Sequence, residues 1–298
     1  MLPTFFIINP QAGRSSIDTL VTMLRSRFSS TNLEIHTTTR SNEATDVARK
    51  AADSFPVIVA VGGDGTINEV ANGLIGTTAS LGILPTGSGN DFARTLRLPS
   101  TLSKRIEVIA KQKIRTIDVG KITAKNKNGL ATSKHFVNAV GIGLDAQVAH
   151  EAQKLPRLFG TAKYAASAIR CLFKYAPEIT RVQSKELESI GKHNLISIGN
   201  GQSAGGGFYL TPDALLDDGL LDICLAKDLS LIGTILVFPF VLLGKHGMFS
   251  KVRLFKTKRI SISSSMDLFV HVDGEVLPID QRIVEVELQG LKLGVVVP

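Results

Sequence analysis

The sequence predicts two architectures in series: a doubly wound α/β domain over residues 1–124, then a β-sandwich over 125–298. Three observations predict this. Apolar runs alternate with helical patterns four times in the first third of the chain, the signature of a parallel sheet covered by helices. Beyond Ile117-Asp118-Val119-Gly120 short strand-like segments separated by turn signals take over, among them 136–140, 268–272, 284–288 and 293–297, with a helical interruption expected at 159–174, as in a sandwich. Polar, glycine-bearing loops also recur after the early strands, where doubly wound sheets bind their ligands.

In the first domain, residues 5–8, 33–37, 57–61 and 81–84 read as strands. Val57, Ile58, Val59, Ala60 and Val61 are apolar without alternation, as expected of a strand buried on both faces. Helical spacing follows each early strand: Ile17, Leu20, Val21, Leu24 and Phe28; Ala44, Val47, Ala48 and Ala51; Ile67, Val70, Ala71 and Leu74. The junction after 57–61 is Gly62-Gly63-Asp64-Gly65-Thr66-Ile67-Asn68, which aims backbone N–H groups and a helix N-terminus at one spot. A plain strand–helix turn needs one glycine. Three around an aspartate favour phosphate, with Asp64 serving a metal or a sugar hydroxyl. Neither G-x-G-x-x-G nor G-x-x-x-x-G-K-[ST] spacing is present. Asn9-Pro10-Gln11-Ala12-Gly13-Arg14 forms a second such loop, and Pro85-Thr86-Gly87-Ser88-Gly89-Asn90-Asp91 a third. The three loops are expected to gather around one crevice.

Composition narrows the partners. The 298 residues carry a net charge of +8, compatible with an anionic membrane surface or nucleic acid. Without tryptophan and with three tyrosines, stacking platforms for single strands are scarce, and no nucleic-acid partner is expected. Cys171 and Cys224 form neither a disulfide pattern nor a zinc pattern, so a reducing compartment is expected. The N-terminus lacks the basic start and apolar core of a signal peptide. The apolar stretch 229–243 contains Pro239 and falls short of the roughly 20 residues that cross a bilayer. A cytoplasmic protein is expected, in contact at most with the inner membrane surface, as a monomer or a homodimer.

The pair Val-Gly-Gly-Asp-Gly-Thr-Ile-Asn-Glu-Val at 61–70 and Leu-Pro-Thr-Gly-Ser-Gly-Asn-Asp-Phe-Ala at 84–93 resembles the diacylglycerol kinase catalytic-domain family. The soluble bacterial lipid kinases and the sphingosine and ceramide kinases are similar to it over nearly the whole chain. The first motif is shared with NAD kinases; the ordered pair is more specific. The resemblance implies a Rossmann-like, NAD-kinase-like first domain, to which a final strand near 289–298 returns. It implies ATP-dependent phosphorylation of a diacylglycerol-like or sphingoid alcohol in an interdomain cleft, with Mg²⁺. The alternatives are an NAD kinase and a non-catalytic lipid-binding or regulatory protein on the same scaffold. Asp64, Asp91 and Asp118 are the carboxylates offered to Mg²⁺ and its waters, and Thr38 is carried over as a nucleotide neighbour. Ser88 stands where many relatives have threonine and keeps the hydroxyl.

Three later segments carry chemistry. In Pro212 to Asp222, clustered acids beside a turn suit either a hard cation or a solvated turn before a strand. The resemblance implies a structural magnesium ion held by the carbonyls of Leu215 and Leu220 and the side chain of Asp218. His271-Val272-Asp273-Gly274-Glu275 places two acids at a strand end. The family's general base comes from such an Asp-Gly-Glu, here Asp273 or Glu275, and spacing does not separate them from each other or from a hairpin turn. The apolar helix at 230–243, followed by Lys245, Lys251 and Arg253, fits either a core helix or one resting on an anionic bilayer.

Overall fold

The computed structural model describes residues 2–12, 17–40, 42–154, 167, 170–171 and 173–298. The chain divides into two compact units, Met1–Asp118 with Leu291–Pro298, and Val119–Gly290.

The first unit is α/β. Its strands β1 (Thr4–Ile8), β2 (Leu33–Thr37), β3 (Val57–Gly62) and β4 (Ser80–Pro85) lie parallel in the order β2-β1-β3-β4. The end of the last strand of the chain, β15 (Gln281–Val296), adds to β4 through Val295 and Leu81. Helices α1 (Ile17–Arg27), α2 (Glu43–Ala51), α3 (Asp64–Leu74), α4 (Asp91–Thr95) and α5 (Leu102–Lys111) alternate with these strands. α2 packs on α3 and α1 on α5. Every residue from Val57 to Val61 is buried, as the uninterrupted apolar run requires.

The second unit is built of antiparallel strands around one apolar cluster that includes Phe136, Val140, Val182, Ile198, Ile223, Ile262, Val272 and Val286. One sheet runs β14 (Glu275–Val276), β13 (Val270–Val272), β7 (Ala139–Gly143), β9 (Glu188–Gly199), β10 (Leu221–Lys227), β11 (Val252–Thr257). The other joins β9, β8 (Ile179–Ser184), β12 (Arg259–Leu268), β15, β5 (Ile114–Asn126) and β6 (Ala131–Phe136). β9 belongs to both, so the sandwich is joined along one edge. Among the elements of the described residues, the helices α6 (Leu144–Gln153) and α7 (Leu231–Leu242) interrupt the strand series.

Three strand expectations are corrected. The run 136–140 is two strands, broken at Val137 and Asn138, whose N–H groups leave the ladder for the Asp273 carboxylate. The run 268–272 breaks at Phe269. The runs 284–288 and 293–297 are one strand, β15, which continues through Gly290 at φ +76. The helix expected at 159–174 falls mostly outside the described residues.

Candidate functional site

In the first unit the three loops meet. β1, β3 and β4 are neighbours with a common direction, so their C-terminal ends emerge side by side. Asn9 N–H bonds the Val61 carbonyl at 3.0 Å, and Asn9 Nδ2 donates to Thr66 Oγ1 at 3.0 Å. Thr86 N–H reaches the Gly62 carbonyl at 2.8 Å, and its hydroxyl donates to the Ala12 carbonyl at 3.0 Å. Residues 9–12, 62–68 and 86–91 are thereby tied into one cluster. Gly13 and Arg14 lie outside the described residues.

Two of the glycines are steric necessities. A Cβ on Gly62 would lie 2.4 Å from Thr66 Oγ1, and one on Gly87 would lie 2.5 Å from the Gly63 Cα. At Gly87 a side chain would collide with backbone, and at Gly62 with the buried Thr66 side chain. Gly65 differs: a Cβ there would meet nothing within 4 Å. It sits in the first turn of α3 beside open space, where helix N–H groups offer donors to an anion.

Asp64 opens α3, and its Oδ1 accepts Phe92 N–H at 3.3 Å. Its Oδ2 lies 2.8 Å, and Asp91 Oδ2 3.5 Å, from the position a Gly89 Cβ would take. Two carboxylates thus converge on a cradle that a side chain would fill. Hard oxygen donors so arranged fit a divalent cation. Asn90, left-handed at φ 53, turns the chain into α4 and donates to the Gly87 carbonyl at 2.7 Å.

Other sequence candidates of this unit turn inward. Ile67 is a core side chain, and its N–H bonds the Gly63 carbonyl. Asn68 is buried and accepts from Asn72. Thr38 is buried, with its N–H and its hydroxyl both directed to the Ile8 carbonyl at 2.9 and 3.3 Å. The neighbouring turn is pinned by Glu43, whose carboxylate is lowered to about 2, chiefly by the Thr39 N–H and then by His36. Asp118, buried on β5, pairs with Lys292 of β15. Ser88 is half-buried between Gly87 and Gly89.

In the second unit, Asp273 and Gly274 form the two-residue turn between β13 and β14, at φ +47 and +84. That is the mirror-type turn that Asp-Gly favours. Asp273 is nonetheless 5% exposed. Its Oδ2 accepts Val137 N–H at 3.0 Å, and its Oδ1 accepts those of Asn138 and Ala139 at 3.0 and 2.8 Å. Glu275 is exposed and pairs with Lys134. Behind the turn, buried His271 faces Asp145, with Nε2 to Oδ2 3.3 Å, while its Nδ1 accepts Gly274 N–H at 3.4 Å. A Cβ on Gly141 would lie 2.1 Å from Asp145 Oδ2, so glycine there makes room for the pair.

The acidic segment surrounds a lysine. Lys256, opposite Asp222 in the β10–β11 ladder, places its ammonium 2.8 Å from Asp218 Oδ2, 3.2 Å from Asp222 Oδ2 and 3.3 Å from the Asp213 carbonyl. Burial raises Asp222 to about 6, against the opposing pull of Lys256. Asp218 Oδ1 accepts Leu220 N–H. One carboxylate and two carbonyls are a donor set suited to Mg²⁺. An ion held there would share Asp218 Oδ2 with Lys256. Among the described residues no group of three or more His, Cys, Asp or Glu side chains is arranged around a metal position.

Sequence reasoning missed Thr86, Lys256 and the His271–Asp145 pair. Only Thr86 left a local signal, as the residue opening a Gly-Ser-Gly loop.

A family model described as the diacylglycerol kinase catalytic domain matches residues 3–122, and one described as the YegS C-terminal NAD kinase beta sandwich-like domain matches residues 138–295. The chain is 31% identical over 278 residues to the diacylglycerol kinase of Staphylococcus saprophyticus, covering 90% of this chain and 87% of that protein. It is 30% identical over 276 residues to that of Bacillus subtilis, covering 90% and 88%. The crystal structure of a diacylglycerol kinase from Bacillus anthracis, 24% identical, shares the fold with a TM-score of 0.72, over 99% of this chain and 97% of that one. Yeast NADH kinase complexed with NADH, 11% identical, shares it more distantly at 0.55, over 100% and 84%.

Proposed function

The chain belongs to the diacylglycerol kinase family, and on that premise we propose that it transfers the γ-phosphate of ATP to the hydroxyl of a diacylglycerol-like or sphingoid lipid. The observation that carries this reading is the convergence of Asp64 and Asp91 on Gly89 within the three-loop cluster. Phosphoryl transfer needs a phosphate cradle, charge neutralisation and an oriented acceptor, and little covalent chemistry from the protein.

In this reading the N–H groups around Gly62, Gly63 and Gly65 and the α3 N-terminus cradle the polyphosphate. Asn9 to Gly13, Thr66 and Ser88 complete the nucleotide side. Asp64 and Asp91 would hold Mg²⁺, which would supply neutralisation of the phosphate oxygens, and Asp118, which pairs with Lys292, is the third carboxylate offered to the ion and its waters. Thr38, Ile67 and Asn68 shape the site from behind. Asp273 orients the acceptor hydroxyl and takes its proton. Its three N–H partners fix the carboxylate in place, and orientation matters more than basicity when the transition state is loose. Glu275 is the alternative base. Leu215 and Leu220 through their carbonyls and Asp218 through its carboxylate would hold a second, structural magnesium ion. The acceptor resides in a membrane, so the enzyme works in transient contact with the cytoplasmic surface.

The test is a panel of acceptors with labelled ATP: diacylglycerol, sphingosine and ceramide in mixed micelles, and NAD in solution. Label in a lipid is the expected result. Label in NAD alone would move the assignment to the NAD kinases, whose fold the chain shares. With no transfer to any acceptor the scaffold would be a binding protein.

A further inference from the structure

We propose that the outer face of α7 is the surface by which this protein docks on an anionic lipid bilayer, lying flat at headgroup depth. The proposal deepens the lipid-kinase reading, since it names where the membrane is met.

α7 is apolar all round: Leu-Ile-Gly-Thr-Ile-Leu-Val-Phe-Pro-Phe-Val-Leu contains no charged residue. One stripe has an internal purpose. Val237 and Val241, with Leu229 ahead of the helix, pack on Cys224, Ala226, Val252 and Leu254 of the sheet. Phe238 leans on Phe208 and Phe240 on Phe249, each with ring centroids 5.1 Å apart. The opposite stripe has none of this. Ile232 is 71% exposed, Ile235 47%, Leu236 59% and Leu243 67%, at the spacing that lines one helical face, and Met248 just beyond is 71% exposed. A surface helix ordinarily sets charged or polar residues on such a stripe. An apolar patch of this kind marks an interaction site.

Three features select a bilayer over a protein partner. Lysines flank the face at both ends: Lys251 donates to the Asp228 carbonyl just before the helix at 2.6 Å, and exposed Lys245 follows it. Cations at the margins of an apolar face suit anionic headgroups. Tyr209, 40% exposed, sits at the C-terminal end with its N–H on the Val241 carbonyl, and an amphipathic ring suits the interface. Pro239 lies on the exposed stripe and has no N–H for the Ile235 carbonyl. A wet headgroup layer tolerates that carbonyl, whereas a dry protein contact would penalise it. The helix is 12 residues long, about 18 Å at 1.5 Å per residue, too short to cross and long enough to lie flat.

The experiment is co-sedimentation with phosphatidylcholine vesicles, with and without phosphatidylglycerol, for the wild type, Ile232→Gln, the triple variant Ile232→Gln/Leu236→Gln/Leu243→Gln, and Lys245→Glu. Each protein is also assayed on a short-chain, monomeric diacylglycerol. The triple variant is expected to lose vesicle affinity at least tenfold, and Ile232→Gln severalfold. Lys245→Glu should weaken binding to the phosphatidylglycerol vesicles only, and all variants should keep wild-type turnover on the monomeric substrate. The proposal is overturned if the triple variant sediments like the wild type, or if the wild type binds no vesicles. It is equally overturned if light scattering finds a wild-type dimer that the triple variant splits, which would make this face a self-interface. Vesicle binding without turnover of the monomeric lipid would leave the docking face standing and remove the kinase reading instead.

Discussion

Asp273 and Ala139 hold each other by a reciprocal pair of hydrogen bonds: Asp273 N–H to the Ala139 carbonyl at 2.8 Å, and Ala139 N–H to Asp273 Oδ1 at 2.8 Å. The same carboxylate takes the N–H groups of Val137 and Asn138, so one side chain both ends β6 and starts β7. Asp273 therefore has structural duties whatever its chemistry. Asp273→Ala leaves buried donors without an acceptor and should cost about 2–4 kcal/mol of stability, read by denaturant unfolding. Turnover must accordingly be scaled to the folded fraction. Glu275→Gln touches an exposed ion pair and should leave stability within about 0.5 kcal/mol. If Glu275→Gln abolishes transfer at full foldedness while folded Asp273→Ala retains it, the base is Glu275.

Gly65 separates fold from function more cleanly. With open space where its side chain would stand, Gly65→Ala should stabilise α3 by about 0.5–1 kcal/mol. The same methyl would project toward the proposed phosphate position. A fall of about tenfold or more in kcat/KM for the nucleotide, roughly 1.4 kcal/mol, should accompany the gain in stability. Unchanged kinetics would clear that space of any phosphate.

Gly87→Ala should behave oppositely. Its Cβ would fall 2.5 Å from the Gly63 Cα, and backbone cannot rotate away as a side chain can. A loss of about 1–3 kcal/mol in urea unfolding is expected. A neutral result would mean that the two loops are not in backbone contact.

Lys256 competes with any metal bound at Asp218. In Lys256→Met the Asp218 and Asp222 carboxylates lose their counter-ion, which should lower Tm in metal-free buffer. Added Mg²⁺ should restore more Tm in this variant than in the wild type. A Tm indifferent to Mg²⁺ in both proteins would argue against an ion at Asp218.

Two buried groups oppose each other in mild acid. His193, held by Thr180 and Ser189, is lowered to about 4 by burial, so its native form resists protonation. Between pH 4 and the ordinary histidine value the unfolded chain binds the extra proton, and stability rises with pH. Asp222, raised to about 6, has the reverse sign: its native form keeps a proton that the unfolded chain has released, so stability falls as pH rises from about 4 to 6. His193→Gln should therefore expose a decline in Tm with rising pH across this window, and Asp222→Asn a rise. Parallel profiles for the two variants would contradict these assignments.

The helices and parallel strands of the first unit were legible because each is a local pattern: an apolar run for β3, a 3.6-residue period for α3, glycines at the junction between them. The three-loop cluster followed from the rule that ligands gather at strand ends. Local pattern failed wherever the decisive partner lay far along the chain. The break at Val137 and Asn138 depends on Asp273, and nothing in the 136–140 run announces it. β15 reads as two strands because Gln289-Gly290 interrupts the apolar alternation, whereas it is one strand that pairs with β12 over its first half and with β4 at Val295.

By itself the sequence determined the two fold classes, the glycine-bearing loops after the early strands and the family, since composition, period and motif spacing are properties of the chain as written. Only the tertiary structure decided which glycines are sterically obligatory, that Asp64 and Asp91 converge on Gly89, that Lys256 occupies the acidic cluster, and that one stripe of α7 is left uncovered. Those are facts of burial and of contact between residues distant in sequence, and burial is settled only when the whole chain has packed.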